Sequence, residues 1–197
     1  KAVILHCGRV EISDRTKELI LLYKNGLKDS SVYRKIIKDM RSQRKKKASK
    51  YLYNTLKSLD DIVSYAEKKN ILLGIENRFY FAEIPDLFEI KKIIENFKGV
   101  AFYWHDTGHA YIMEKLGLLE KNILLQNYSE YLLGVHLHNV SNLKDHRPVH
   151  SGEIDFRQIV PYIKKNTLKI IEVHPPVTER EIKESKLFLK KIFNGNF

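Results

Sequence analysis

Four side chains that can bind a metal ion occur at regular intervals along the chain. They are Glu76, Asp106, His136 and Glu172, at steps of 30, 30 and 36 residues. Carboxylates suit Mg²⁺ and Mn²⁺, while an imidazole raises the affinity for Mn²⁺, Co²⁺ or Zn²⁺. Any one of these residues could be structural, as Glu76 would be if it only paired with Arg78. Four of them in one series favour a site for a divalent cation.

Each of the four residues closes a short apolar run, and a fifth run opens the chain. The runs cover residues 2–5, 71–75, 100–105, 132–135 and 168–171, and helical patterns follow them, one of which extends from Asp155 to Lys165. Strands that are buried on both faces of a parallel sheet have this composition. Strands that alternate with helices imply parallel pairing through right-handed crossovers. The sequence therefore predicts an α/β fold in which the carboxyl ends of four strands carry the four residues.

Repeated βα units of this kind are typical of a parallel (β/α) barrel of the TIM type, whose active site lies at the C-terminal ends of the strands. Five units do not close an eight-stranded barrel. We therefore expect residues 1–197 to form a single domain, equivalent to the C-terminal five βα units, with three N-terminal units absent or outside this sequence. An open five-stranded sheet is the alternative. Residues 28–69 are predicted to form an extended helical basic insertion, broken or bent around its basic block.

Composition restricts the class of protein further. No apolar run approaches the ~18–20 residues that span a bilayer. The only cysteine, Cys7, excludes an internal disulfide and fits a reducing compartment. We therefore expect a soluble, cytoplasmic protein with no membrane partner.

The net charge of +11 is unevenly distributed. Residues 1–70 hold 18 Lys and Arg against 8 Asp and Glu, which leaves 17 against 16 for residues 71–197. Such an excess of positive charge can bind along a phosphate backbone. On a lysine-rich helix, however, the basic residues more often form a face that only contacts water, and we favour that interpretation. Much of it lies in one block, formed by Arg41, Arg44, Lys45, Lys46, Lys47 and Lys50.

Histidines concentrate where the strands end. Alternation along a strand places His136 and His138 on one face, and His109 falls near a helix N-terminus, where the neutral imidazole is favoured. If these loops share one side of the fold, imidazoles surround the predicted metal site, as metal binding or proton transfer requires. All eight histidines lie at predicted strand ends or in the loops that follow: His6, His105, His109, His136, His138, His146, His150 and His174.

Short stretches along nearly the whole chain resemble those of the xylose isomerase-like barrels. This superfamily includes sugar isomerases and epimerases and the endonuclease IV class of AP endonucleases. The stretches occur in the order expected for the superfamily: 5–8 (LHCG), 74–78 (GIENR), 106–110 (DTGHA), 134–139 (GVHLHN), 152–156 (GEIDF) and 171–172 (IE). Together they are fairly specific for the superfamily, but not for one enzyme.

For the isomerase and epimerase branch, the resemblance implies a single divalent ion, Mn²⁺, Co²⁺, Mg²⁺ or Zn²⁺, with Glu76, Asp106, His136 and Glu172 as its ligands. It also implies that Glu76 and Glu172 are the catalytic bases. They would exchange a carbon-bound proton next to the carbonyl of a sugar or sugar phosphate, while the metal stabilises the enediolate. Four further residues are expected to contact the substrate: His109, His138, Arg147 and His6.

Two other hypotheses remain open. The endonuclease branch uses up to three Zn²⁺ ions to cleave DNA at abasic sites, and its extra ligands would fall at His6, His109, Asp145 and either His146 or Arg147. The Asp-x-His spacing of that branch reads Asp-His-Arg here, and this departure favours the sugar branch. The third hypothesis is a non-catalytic degenerate barrel that serves as a binding or scaffold module, which the absence of three strands would favour. The open edge of such a barrel would invite pairing with another chain and hence oligomerisation.

Overall fold

A parallel sheet of five strands forms the centre of the protein. The computed structural model describes residues 1–195 and residue 197. The sheet curls into a half-barrel with flanking helices, which confirms the predicted α/β fold of the TIM-barrel type as a partial barrel. In spatial order the strands are β1 (Ala2–Leu5), β2 (Leu72–Glu76), β3 (Ala101–Asp106), β4 (Leu132–Leu137) and β7 (Leu168–Ile171), while β5 (Asn139–Ser141) and β6 (Lys144–Arg147) form a separate hairpin.

Helices of very different lengths connect the strands. Among the described residues, neither the longest helix nor any shorter one has the apolar stretch needed to cross a membrane. The helices are α1 (Thr16–Lys24), α2 (Ser31–Lys68), α3 (Leu87–Asn96), α4 (Thr107–Lys115), α5 (Ile123–Tyr128) and α6 (Glu179–Ile192).

Parallel pairing brings the four candidate ligands to one edge of the sheet. Glu76 is the last residue of β2, and Glu172 directly follows β7. Asp106, the last residue of β3, is aligned with His136 on β4. Residues aligned across neighbouring strands point to the same face of a sheet. The carboxyl ends of the strands therefore present these side chains together.

Trp104 fills the space on this face below the candidate ligands. The indole is fully buried and lies between glycines on the two neighbouring strands, Gly74 and Gly134. A Cβ atom at Gly134 would lie 2.2 Å from the Trp104 ring, and one at Gly74 would lie 2.9 Å from it. The ring also packs edge-on against His136, with 5.1 Å between the ring centroids. The large residue on β3 therefore needs small neighbours, and it supports the imidazole.

Helix α2 is a single continuous helix of 38 residues, so the break that the sequence allowed around the basic block does not occur. Ser30 caps its N-terminus by accepting a hydrogen bond from the Tyr33 backbone N–H, at 3.1 Å. Tyr33, Ile36 and Met40 then pack into the main hydrophobic core. The basic block does not interrupt the helix because lysine and arginine are good helix formers and extend into solvent.

One residue of the basic block is buried. Arg44 donates hydrogen bonds to Asp86 at 3.2 Å, to Glu89 at 2.5 Å and to the Phe81 carbonyl at 3.0 Å. Asp86 and Glu89 also form the capping box of α3. Burial raises the pKa of Glu89 to about 7, with Asp86 adding to the rise and Arg44 opposing it. Arg44 therefore fixes the middle of α2 against the start of α3.

The segment after the hairpin differs from the prediction. Instead of one helix from Asp155 to Lys165, the structure has two 3₁₀ turns, at Phe156–Gln158 and Val160–Tyr162. Pro161 lies in the second turn, and its missing N–H and its ring prevent α-helical hydrogen bonding. The expected helix is therefore reduced to two short turns.

Candidate metal centre at the carboxyl ends of the strands

The four residues predicted as metal ligands converge on one point. Nδ1 of His136 lies 2.6 Å from Oε1 of Glu76, 2.9 Å from Oε2 of Glu172 and 3.9 Å from Oδ2 of Asp106. One potential ligand atom from each residue lies within 4.8 Å of the others. Three strands and the residue after a fourth thus supply one compact group of three carboxylates and an imidazole.

The charges of this group depend strongly on one another. Burial alone would raise the pKa of Asp106, but His109 and His138 hold it well below its usual range. Burial would lower the pKa of His136, but its hydrogen bonds to Glu172 and Glu76 raise the pKa to about 9. The same bond from His136 lowers the pKa of Glu172. At neutral pH, Asp106 and Glu172 are therefore ionised and His136 carries a proton.

Glu76 is held from two sides. One carboxylate oxygen, Oε1, faces His136, while Oε2 pairs with Arg78 and lies 3.0 Å from Nε2 of His6. Nη1 of Arg78 also lies 2.8 Å from Nε2 of His6. The His6 side chain is 63% exposed, whereas that of Glu76 is 2% exposed. His6 therefore lies at the rim of the group, where it can meet a ligand from solvent.

Asp106 connects the group to two more histidines. Its carboxylate accepts a hydrogen bond from the His109 backbone N–H at 2.7 Å and caps α4 in this way. Nε2 of His138 lies 2.9 Å from both Asp106 oxygens, and its Nδ1 accepts from the His146 backbone N–H at 2.9 Å. His138 is fully buried. His109 thus stands at the predicted helix N-terminus, and His138 contacts Asp106 from the protein interior.

A column of imidazoles continues from this point. The rings of His138 and His146 stack with centroids 4.2 Å apart, and those of His146 and His174 stack at 3.8 Å. Two further groups have metal-binding geometry, one formed by Asp106, His109, His138 and His146, the other by His146, Glu172 and His174. The sequence indicated His146 as one alternative zinc ligand, and it placed His174 only among the eight histidines at strand ends and in the loops that follow.

Arg147 lies apart from these groups. Together with Lys144 and Pro176, it lines a separate hollow of about 410 Å³ beside the hairpin. Its neighbour His146 is close to the candidate ligands, with Nε2 3.8 Å from Oε2 of Glu172. The structure therefore brings His6, His109 and His138 next to the predicted ligands, but it does not place Arg147 among them.

The donor set fits a divalent cation. Carboxylate oxygens and one imidazole nitrogen are ligands accepted by Mg²⁺, Mn²⁺, Co²⁺ and Zn²⁺. Glu76 and Asp106 are both buried, and two buried carboxylates next to a third require compensating positive charge. Among the described residues, the proton on His136 and the Arg78 guanidinium supply such charge at Glu76. A metal ion would replace the proton on His136 with a larger charge.

Comparisons with known proteins agree with this fold. No curated protein sequence matches the chain significantly. Among solved structures, a D-tagatose 3-epimerase-like protein is similar, with a TM-score of 0.54 and 24% identity over 75% of this chain and 56% of that chain. The apo form of 3-keto-D-glucoside 4-epimerase from E. coli is also similar, with a TM-score of 0.51 and 16% identity over 72% of this chain and 54% of that one.

The chain therefore spans little more than half of the length of either of these proteins. At these identities the two structures show the fold alone. A sequence profile, by contrast, matches residues 38–192, which is most of the chain. On that match, the chain belongs to the xylose isomerase-like TIM barrel family.

Proposed function

We propose that this chain carries the catalytic residues of a divalent-metal-dependent sugar or sugar-phosphate isomerase or epimerase. The observation that carries the proposal is the placement of two glutamates around one imidazole. Oxygens of Glu76 and Glu172 lie 2.6 and 2.9 Å from the same nitrogen of His136, and Asp106 completes the group. Two carboxylates that face each other across a small space can remove a proton from one side of a carbon and return it from the other.

Glu76, Asp106, His136 and Glu172 would hold the metal ion. When bound, the ion would polarise the carbonyl and hydroxyl oxygens of the substrate. Glu172 is the more accessible base, since its side chain is 35% exposed. A glutamate is already ionised at neutral pH at its ordinary pKa, and the hydrogen bond from His136 lowers the pKa of Glu172 further, so its carboxylate is free of a proton and can accept one. Glu76 is the second base, held in position by Arg78.

The residues around the glutamates suit a small polar substrate. His6 is exposed at the rim, and Nδ1 of His109 lies 3.2 Å from the Asn77 carbonyl, which leaves Nε2 for other partners. We propose that both contact hydroxyl groups of the sugar. The fully buried His138 contributes by orienting Asp106, and Arg147 contributes only if a substrate reaches the hollow beside the hairpin. The names of the two similar structures, both sugar epimerases or epimerase-like proteins, support this substrate class.

Hydrogen exchange with solvent tests the proposal. The Mn²⁺-loaded protein is incubated in D₂O with ketopentoses, ketohexoses and their phosphates, and deuterium at the carbon next to the carbonyl is measured by NMR. Wild type should incorporate deuterium into at least one of these sugars. Glu172→Gln should lower the rate at least ~100-fold, the size expected for loss of a general base. Glu130→Gln, a change at an exposed residue paired with Lys164, should not alter it.

Calorimetry with Mn²⁺ separates the two roles of Glu172. If Glu172→Gln still binds Mn²⁺ and exchanges protons as fast as wild type, the proposed base is wrong. If wild type binds Mn²⁺ but exchanges no sugar in the panel, the proposed reaction is wrong.

A second candidate function is supported by the histidine-rich group beside the first. Asp106, His109, His138 and His146 have metal-binding geometry, and Asp145 lies 3.8 Å from Nε2 of His109. A cluster of two or three Zn²⁺ ions in this region could cleave a phosphodiester, as expected for an AP endonuclease. Elemental analysis of the zinc-loaded protein and incision of an abasic DNA duplex test this candidate. One ion per chain with no incision would exclude it.

A further inference from the structure

The exposed surface of α2 carries many positive charges and very few negative ones. Residues 34–57 include ten Lys and Arg and a single acidic residue, Asp39. All of the basic residues except Arg44 are exposed. At 1.5 Å per residue this stretch of the helix is about 35 Å long. We call this surface the basic face; it consists of Arg34, Lys35, Lys38, Arg41, Lys45, Lys46, Lys47, Lys50 and Lys57.

The charges of the basic face are not neutralised within the described residues. None of the nine side chains forms an ion pair with a carboxylate there. Three of them donate to backbone carbonyls instead: Arg34 to Asp29, Arg41 to Gly117 and Lys47 to Glu11. Because α2 is a continuous helix, these positive charges are presented along one element and are available to an anionic partner.

The apolar side of α2 is unavailable to a lipid surface. A helix that binds a membrane inserts its apolar face below the headgroups. In α2 that face is occupied, because Tyr33, Ile36, Met40 and Leu59 are buried in the protein core. The basic face could therefore touch anionic lipids only through charge, without the insertion that gives such helices their affinity.

The composition of the basic face also distinguishes among other partners. A protein interface needs a desolvated apolar or aromatic centre, and a single-stranded nucleic acid needs several aromatic stacking platforms. Tyr53 is the only large apolar side chain of residues 34–57 among the exposed ones. Ser42, Ser49 and Asn54, also exposed, add hydroxyl and amide groups of the kind that contact phosphate oxygens.

We infer that the basic face of α2 binds the phosphate backbone of a double-stranded nucleic acid, without reading its sequence. A duplex presents regularly spaced phosphates along a stiff axis, and neutralising them releases counterions, which drives binding without base contacts. The opposite, buried side of α2 packs against the segment that carries His6. Thr55 of α2 donates to the Cys7 carbonyl at 3.1 Å, and the neighbouring His6 contacts Glu76. No proposed ligand belongs to this face, so the inference does not depend on the proposed sugar chemistry.

Fluorescence anisotropy with a labelled DNA duplex of mixed sequence, about two helical turns long, tests the inference. Affinity is measured at several salt concentrations between ~50 and ~200 mM, where the logarithm of the association constant should fall linearly with the logarithm of salt concentration. The triple variant K38Q/K45Q/K46Q should reduce the slope by about 2.7, that is 0.9 for each lost contact. It should also weaken binding about tenfold or more at the lowest salt concentration.

The matched control is K186Q/K190Q/K191Q, which removes three exposed lysines from α6. Its net charge equals that of the α2 triple variant. Circular dichroism and thermal unfolding of both variants confirm that α2 remains folded. Unchanged binding by the control, with loss in the α2 variant, supports the inference. Failure of wild type to bind the duplex overturns it, and so does an equal loss in both variants. Binding of phosphatidylserine vesicles, but not the duplex, through the same three lysines overturns it as well.

Discussion

A shared proton on His136 joins the two glutamates of the candidate metal centre, and its titration should be measurable. The pKa of His136 is about 9, against 6.5 for an unperturbed imidazole. A group whose pKa is higher in the folded chain stabilises the fold fully below the unfolded pKa, and this contribution is lost as the pH rises through the folded value. The free energy of unfolding of the metal-free protein should therefore fall by up to about 3 kcal/mol between pH 6.5 and 9.

Urea denaturation at a series of pH values measures this change. His136→Gln has no proton to lose in this range, so its stability should depend less steeply on pH than that of wild type. Equal pH profiles for the two proteins would show that the hydrogen bonds to Glu76 and Glu172 do not raise the pKa of His136.

At the scale of single residues, sequence reasoning found the positions of the main group but not its surroundings. Glu76, Asp106 and His136 could be predicted to meet because each follows a buried strand of similar length, which is a local property. The contact between His138 and Asp106 depends on tertiary packing. It requires Gly108, where a Cβ atom would lie 2.1 Å from the His138 ring.

The position of His146 was even less accessible to sequence reasoning. Its backbone has a φ of 53°, a left-handed conformation that non-glycine residues seldom adopt. Strict alternation along β6 therefore does not hold at this residue. Only the folded hairpin shows that its ring stacks between His138 and His174.

Among the helices, the contact between α2 and α3 depends on one buried arginine. Arg44→Met would leave the Glu89 carboxylate buried without its 2.5 Å partner. Breaking a buried ion pair by removing one partner costs about 3–5 kcal/mol. We expect a loss of that size in urea denaturation, whereas Lys45→Met, at the adjacent exposed position, should change stability by about 0.5 kcal/mol or less. Similar stabilities of the two variants would mean that Arg44 does not hold the two helices together.

The strands of the sheet were predictable, but the elements between β4 and β7 were not. A strand buried in a parallel sheet is a run of apolar residues, so each strand of the half-barrel could be predicted near its observed bounds. The sequence does not predict the hairpin because its turn lacks the usual Asn-Gly signal: Asn142 and Leu143 both have positive φ values, 51° and 53°. The helix expected from Asp155 to Lys165 does not form because Pro161 interrupts α-helical hydrogen bonding.

At the scale of the whole molecule, the main consequence of the topology is that a half-barrel brings all four candidate ligands together. The candidate ligands come from β2, β3 and β4 and from the residue after β7, so four adjacent strands are enough to assemble the group. The two similar structures are nearly twice as long as the matched part of this chain. The sequence of this chain was enough to predict that the proposed ligands meet, because all four of them lie within it.

The same topology leaves both outer edges of the sheet unpaired within the described residues, since β1 pairs only with β2 and β7 only with β4. Val3 and Leu168 on these strands are 45% and 44% exposed. Unpaired apolar edges favour association between chains, so sedimentation velocity should show an increasing mass from about 1 to about 100 µM protein. V3K/L168K should reduce this association, because lysine on an edge opposes pairing. F88K/L187K, which changes two exposed residues on helices, should not reduce it. A constant monomeric mass for the unmodified chain would contradict the role given to the edges.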